Sequence, residues 1–437
     1  MPTGAVFEPD PRAPAMSPPL VANLLQSAAE HVEGEVMPME YPNVPFEPFF
    51  NWYNRPKVLY APGVRQELGY EMTQLGGKRP LVFTDKGVVG AGVAEMVLAA
   101  ARDSNLEIVG VFDGILQDAR IDIINEGAAF YRQSGADSVL AVGGGSVMDT
   151  VKAVNIMIGQ GEEDFQPLAD QAGLYEGARQ LPPHIAFPTT AGTGCEITSA
   201  MVVLDTNAKV KLSVTHPFCN ADVAMLDPEL TVNLPLRITA FTGMDALTHA
   251  IEGIVSRGAQ PISDALGLHA IRLIFSSLTQ VMQEPADLEA RGKMLIASSM
   301  AAMCFINTMV GAVHATAHAL GARYGIPHGL ANAIMLPAVM TFNLEEIPER
   351  YMMIADAMGI DVRGMSPHDA GAQAVEAVIK LKRDIGLTDT LADLGVPEDP
   401  EDLAGLVELA ASDGQIGYNP RYLEDSDILN LYLNARK

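Results

Sequence analysis

Short apolar runs alternate with helix-period segments along the first half of the chain. Leu81 to Thr84 is an apolar run closed by Asp85-Lys86-Gly87, which predicts a strand running into a turn. A helical period follows from about Gly92 to Ser104, then a second strand over Glu107 to Phe112. A helix over Ile121 to Ser134 leads into a strand over Ser138 to Val142. Further strands are predicted at Ile185 to Phe187, Met201 to Asp205, Lys209 to Val214 and Val223 to Leu226. Strand, helix, strand in this order is the pattern of a parallel sheet with crossover helices, and ligands of such sheets gather at the carboxyl ends of the strands. After Asp227-Pro228 the β pattern stops, and from Arg237 onward the periodicity is almost wholly helical. The chain therefore divides into an arm over residues 1–48, an α/β domain over 49–235 and an all-helical domain over 236–437.

The arm is rich in proline and precedes the first strand pattern. Two readings stand for it: a surface-draped tail, or a helix built on Leu20, Val21, Leu24, Leu25, Ala28 and Val32 that packs on a partner subunit. Composition narrows the rest. With 48% hydrophobic and 19% charged residues, the chain can bury a sizeable interior. A net charge of -26 leaves no basic stripe for a phosphate backbone, so nucleic acid is set aside as a partner. Three widely spaced cysteines, Cys195, Cys219 and Cys304, do not make a disulfide framework and fit a reducing cytoplasm. The N-terminus has no export pattern and no unbroken apolar run has spanning length, so no membrane role is expected.

Two loops at predicted strand ends carry candidate binding chemistry. Gly143-Gly144-Gly145-Ser146-Val147-Met148-Asp149 leaves a strand and opens a helix, where close backbone approach and free N–H groups suit a pyrophosphate. The same residues also read as a glycine turn with a Ser146/Asp149 capping box. Neither G-x-G-x-x-G nor a P-loop is present. The second loop, Pro188-Thr189-Thr190-Ala191-Gly192-Thr193-Gly194-Cys195-Glu196, offers hydroxyls for a diphosphate, ribose or nicotinamide, or for an ordinary capped turn. Two such loops in one sheet favour a dinucleotide. Asp85, at the end of the first strand, suits a ribose with free hydroxyls and repels a 2′-phosphate, which favours NAD over NADP.

The helical half holds a cluster of imidazoles. His314, His318 and His328 fall within one apolar, glycine-punctuated stretch from Met303 to Asn332. His314 and His318 stand one helical turn apart, and Pro327 places His328 in the loop after that helix. Earlier, Gly243-Met244-Asp245-Ala246-Leu247-Thr248-His249-Ala250-Ile251-Glu252 sets Asp245 and His249 one turn apart. Asp245, His249, His314 and His328 together offer one carboxylate and three imidazoles, a donor set for a first-row divalent ion such as Fe(II) or Zn(II). The spacing of His314 and His318 is that of a metalloprotease helix, but no glutamate follows His314 to act as its base. His184, His216, His269 and His368 have no partner at helical spacing and are read as structural or surface residues.

On the Gly143 to Lys152 stretch, T-T-A-G-T at Thr189 to Thr193, the Gly243 to Glu252 motif, the three-histidine stretch and Asn419-Pro420-Arg421, the chain resembles the iron-containing (group III) alcohol dehydrogenases. The resemblance covers about residues 56 to 437. It implies a dehydroquinate-synthase-like architecture: an N-terminal α/β domain with a parallel dinucleotide-binding sheet, an all-α metal-binding domain, and a site in the cleft between them. It implies Asp245, His249, His314 and His328 as metal ligands and His318 as a catalytic residue beside the nicotinamide. Gly144, Gly145, Ser146, Asp149, Thr189, Thr190, Thr193 and Lys211 fall where the family binds NAD(P), Asp85 where it selects NAD, and Phe305 and Asn307 on the substrate side. The family's Pro-Asn-Pro-Thr turn is replaced here by Gln117-Asp118-Ala119-Arg120, so that cofactor contact is not carried over.

The expected activity is NAD- and metal-dependent interconversion of an alcohol with an aldehyde or ketone, in a homo-oligomer. Two alternatives share the architecture. One is a hydroxyacid-oxoacid transhydrogenase, which Gly143 to Asn155 also resembles; the other is a dehydroquinate-synthase-type lyase that uses NAD transiently.

Overall fold

A computed structural model describes residues 49–170, 181–208 and 210–436. The readings made for the arm, including its helix, lie outside the described residues. Six parallel strands form the main sheet in the order β1-β9-β6-β5-β2-β3, with β1 at Lys57–Tyr60, β2 at Pro80–Asp85, β3 at Gly110–Ile115, β5 at Ser138–Gly143, β6 at His184–Pro188 and β9 at Val223–Leu226. The central strands β5, β6 and β9 are buried along their whole length. That burial is why their sequences read as continuous apolar runs rather than alternating ones.

Both sheet faces are covered. Leu81, Phe83, Val139 and Ala141 face a core formed with helices α4 (Ile121–Ser134) and α5 (Gly145–Gln160). Val82, Leu140, Val142 and Ile185 face the opposite core with α1 (Leu68–Leu75) and α3 (Val93–Asp103). Alternate residues of one strand thus serve opposite layers. Between β2 and α3 lies the short α2 (Lys86–Gly90), and α6 (Gln166–Asp170) follows α5.

The strands at Ala200–Asp205 (β7) and Val210–Thr215 (β8) do not extend this sheet. They pair antiparallel as a hairpin, with the two-residue β4 (Ala119–Arg120) parallel to β7, in a separate three-stranded sheet. The second strand begins three residues later than the apolar pattern suggests, because its ladder starts opposite Leu81 at Gly110.

From Leu236 the described chain is helical: α7 (Leu236–Val255), α8 (Pro261–Gln283), α9 (Leu288–Phe305), α10 (Ala312–Tyr324), α11 (His328–Leu344), α12 (Pro348–Ala357), α13 (Pro367–Asp384), α14 (Pro400–Ser412) and α15 (Asp425–Ala435). One core cluster joins them, with Met244, Leu247 and Ile251 of α7 at its centre. Helix α8 has the length and hydropathy of a membrane span, yet its Ile271, Ile274 and Leu278 are fully buried in this core.

The two halves meet where the loop after β6 touches α7 and α9. Gly194, at φ +59°, lies so close to α9 that a side chain there would fall 2.9 Å from the carbonyl oxygen of Ser298.

Candidate active site

The carboxyl ends of β2, β5 and β6 lie side by side, and three predicted loops converge on them. Asp85, Gly144, Gly145, Ser146, Thr189, Thr190 and Thr193 all line one groove of about 700 Å3. Helix α5 starts at Gly145 with Gly144 as its N-cap, and no side chain caps it. The capping box is therefore not formed: the Ser146 hydroxyl instead accepts the Asp118 N–H at 3.0 Å. The first N–H groups of α5 stay open toward the groove, a ready anion site. A Cβ on Gly145 would meet the Thr193 methyl at 2.9 Å, so the two loops can lie together only around glycine. Asp85 caps α2 through Oδ1, accepting the Val88 N–H at 2.9 Å, which fixes its carboxylate at the groove edge.

Gly145, Ser146 and Thr193 also line a second, contiguous cavity of about 300 Å3. Asp149 and Lys211 are on its wall, with Phe305 and the histidines opposite in the helical half. Asp149 accepts the Val202 N–H at 3.0 Å and lies 3.3 Å from the fully buried Lys152 ammonium, so it also anchors the hairpin. Lys211 pairs with Asp118 at 2.8 Å. Asp118, at φ +64°, belongs to the segment that replaces the family's Pro-Asn-Pro-Thr turn, and it ties that segment to both α5 and β8.

Asp245 and His249 come from α7, His314 from α10 and His328 from α11. Their donor atoms all lie within 4.8 Å of one another. The Nε2 atoms of His249, His314 and His328 stand 4.0, 4.0 and 3.5 Å from Asp245 Oδ1. Ligands held at about 2.1 Å by a tetrahedral ion are about 3.4 Å apart, so four donors at these separations fit a divalent metal with little adjustment. Pro327 is the extended N-cap of α11 and His328 its first residue, so the third imidazole leaves a helix start rather than a loop.

The surroundings hold His314 and His328 in ligating form. Burial, reinforced by the neighbouring imidazoles, pushes the His314 pKa well below its ordinary value, and desolvation does the same for His328. Both rings are therefore neutral, as a metal requires. Glu252, one turn after His249, is buried; it accepts the Val313 N–H at 2.7 Å and faces His314 Nδ1 at 2.5 Å. A proton on Nδ1 leaves the Nε2 lone pair toward Asp245. Burial raises the Glu252 pKa to about 7, against the pull of its backbone hydrogen bonds and of His249. The His249 ring stacks between Phe305 at 4.3 Å and His314 at 4.6 Å. Asn332, fully buried on α11, donates to Asp245 Oδ1 at 2.8 Å while its own oxygen has no partner.

His318 stands apart from the four donors. Its Nδ1 lies 2.8 Å from Asp413 Oδ2, and its ring lines the cavity, stacked on His328 at 5.3 Å. Asn307 is placed differently from the substrate-side expectation. Its amide exchanges hydrogen bonds with the Tyr53 backbone at 2.7 and 3.1 Å, strapping residues 49–56 to the end of α9 instead of facing the cavity.

Glu252, Asn332, Asp413, Gln415 and Asp118 were not singled out from sequence. Glu252 and Asn332 had a local signal, each lying three or four residues after a candidate ligand on a helix. His184 and His216 are buried away from the cavity, and burial drives the His184 pKa down to about 3, consistent with a structural neutral ring.

A parallel sheet with a groove at its strand ends, facing a carboxylate and three imidazoles across a small cavity, sets a candidate metal site beside a candidate nucleotide groove. Known proteins give the family. The profile described as iron-containing alcohol dehydrogenase matches residues 55–228, and the Fe-containing alcohol dehydrogenase C-terminal profile matches residues 239–436. The 1,3-propanediol dehydrogenase of Klebsiella pneumoniae is 37% identical over 379 residues, 86% of this chain and 96% of that protein. The crystal structure of a 1,3-propanediol oxidoreductase superposes with TM-score 0.84 at 36% identity, covering 89% of this chain and all of that one. Sulfoacetaldehyde reductase from Bifidobacterium kashiwanohense, solved in complex with NAD+, gives 0.79 at 30% identity, covering 89% and 99%. The chain belongs to the iron-containing alcohol dehydrogenase family and is an oxidoreductase of that type.

Proposed function

We propose that this protein interconverts an alcohol and its aldehyde or ketone, with NAD in the groove at the strand ends and Fe(II), or Zn(II) in its place, among Asp245, His249, His314 and His328. The convergence of the three Nε2 atoms on Asp245 beside the glycine-loop groove carries this reading. When bound, the ion would supply Lewis acidity toward an alcohol oxygen and the nicotinamide would supply a hydride acceptor. The chain supplies position and proton handling. The α5 N-terminus and the Thr189 to Thr193 loop would hold the diphosphate, and Asp85 the ribose hydroxyls. Phe305 holds the His249 plane and, with Ile306 and Val310, excludes water from the reacting carbon. With its Nδ1 proton held by Asp413, His318 presents Nε2 to the cavity, where it can take the alcohol proton.

The 49–235 and 236–437 halves act as cofactor domain and metal domain, and the site lies in the cleft between them. The NAD complex of the Bifidobacterium reductase and the small-molecule substrates named for both relatives support this assignment. A cytoplasmic homo-oligomer is part of the same reading, supported by the free cysteines Cys195, Cys219 and Cys304 and by the family.

Protein purified without oxygen and loaded with Fe(II) should reduce NAD steadily with a panel of alcohols. Turnover of substrate without net NADH would select a transhydrogenase or a lyase instead.

A further inference from the structure

A second large groove lies in the helical half, away from the metal. It holds about 700 Å3, as much as the dinucleotide groove, and shares no wall residue with that groove or with the metal cavity. Ile334, Ala338 and Phe342 of α11, Ile379 of α13 and Leu431 of α15 give it an apolar wall continuous with the helical core. The same groove is lined by Lys382, Arg383 and Arg421. Three cations together run against a chain that carries 54 acidic residues and 28 basic ones.

The two carboxylates on this wall are already engaged. Asp389 pairs with Arg237 at 3.0 Å, and Asp427 accepts the Glu424 N–H at 3.0 Å in the cap of α15. Lys382 is not. Its ammonium is partly buried and makes no hydrogen bond or ion pair among the described residues. Burial pushes its pKa down to about 8, so at pH 7 it keeps its proton and bears the cost of desolvation. An anion brought against it returns that cost as a charge-assisted bond. Arg421 is set in place beforehand: its guanidinium lies 4.0 Å over the Phe342 ring and donates from Nη1 to the Phe342 carbonyl at 2.9 Å. A group fixed before binding loses little freedom when it binds.

We propose that this groove is a binding site for an amphipathic monocarboxylate of medium chain length, its carboxylate taken by Lys382 and Arg421 and its hydrocarbon laid on the apolar wall of α11 and α13. Charge complementarity selects the head group. A single negative charge suits the wall, because a polyanion would also meet Asp389 and Asp427. The tail follows from the lining, which beside the cations offers aliphatic and aromatic carbon over a volume typical of small-molecule sites.

The test titrates octanoate and the neutral octanamide into the zinc-loaded full chain at pH 7 by calorimetry. Octanoate should bind saturably and about tenfold or more tighter than octanamide, the usual weight of an ionic hydrogen bond. From butanoate to octanoate the affinity should climb by up to about fourfold per methylene, as each enters the apolar wall. In Lys382→Met the preference for octanoate over octanamide should collapse toward one while stoichiometric zinc is retained, which reports an intact fold and metal site. Lys382→Arg, which keeps a cation in place, should retain most of the preference. No saturable octanoate binding, a flat chain-length series, or a preference that survives Lys382→Met would each overturn the proposal; the last of these would put the carboxylate on the metal instead.

Discussion

Glu252→Gln is the sharpest probe of how the metal donors are held. The native carboxylate accepts two hydrogen bonds in a dry site, one from the Val313 N–H at 2.7 Å and one from His314 Nδ1 at 2.5 Å. Glutamine has a single acceptor oxygen, so the variant cannot satisfy both donors. If the oxygen stays with Val313, the amide N–H2 faces His314 and favours the tautomer protonated at Nε2, which removes the lone pair directed toward Asp245. If the oxygen turns to His314, the Val313 N–H is left buried and unpaired, at about 1–3 kcal/mol.

Either outcome loosens one ligand. Loss of such an outer partner costs about 10- to 100-fold in metal affinity, or about 1.4–2.7 kcal/mol. Zinc is a suitable probe because it is redox-silent. Competition against a chromophoric chelator should give a zinc dissociation constant weaker by that factor in Glu252→Gln, and thermal melting of the metal-free proteins should show whether the fold is retained. Equal zinc affinity in a folded variant would refute the coupling of Glu252 to the site.

Three further outcomes are expected. Asn332→Ala removes the donor 2.8 Å from Asp245 Oδ1 and should weaken zinc about tenfold in the same competition; unchanged affinity would reduce Asn332 to packing. Asp85→Gly should lower the preference for NAD over NADP in kcat/KM, and a wild type that uses NADP equally well would refute the ribose argument. Lys382 on α13 is held by burial at a pKa of about 8, with Asp389 pulling the other way. Below pH 8 its ammonium is charged in folded and unfolded chains alike, so the folded state carries the desolvation cost. Between pH 8 and the ordinary lysine value of about 10.4 the folded state sheds its proton and the cost fades. Lys382→Met should therefore raise the melting temperature at pH 7, with the gain shrinking toward pH 10.

What was legible in the sequence was what the chain writes locally. The helix over Ile121–Ser134 and the strand over Val223–Leu226 appear with the predicted bounds, because the helix buries one face that its apolar spacing reveals and the strand is a continuous apolar run buried throughout. Of the four donors, i, i+4 spacing paired only Asp245 with His249; it pairs His314 with His318, which the family resemblance put on the cofactor side, and Pro327 starts α11 where a loop was expected, since proline's fixed φ suits a helix entrance as well as a break. β1 was invisible for the opposite reason: Lys57–Tyr60 is a four-residue edge strand without a fully buried position, so no periodicity marks it. The site's supporting residues were hidden by distance. Asp413 meets His318 across 95 residues and Asn307 meets Tyr53 across 254, and nothing in the local pattern of a polar residue states which remote partner it will satisfy.

That asymmetry has a physical origin. Hydrophobic burial is non-directional, so a run of apolar residues declares its fate without naming a partner. A buried amide or carboxylate is stable only against a particular donor or acceptor, and the fold alone supplies it.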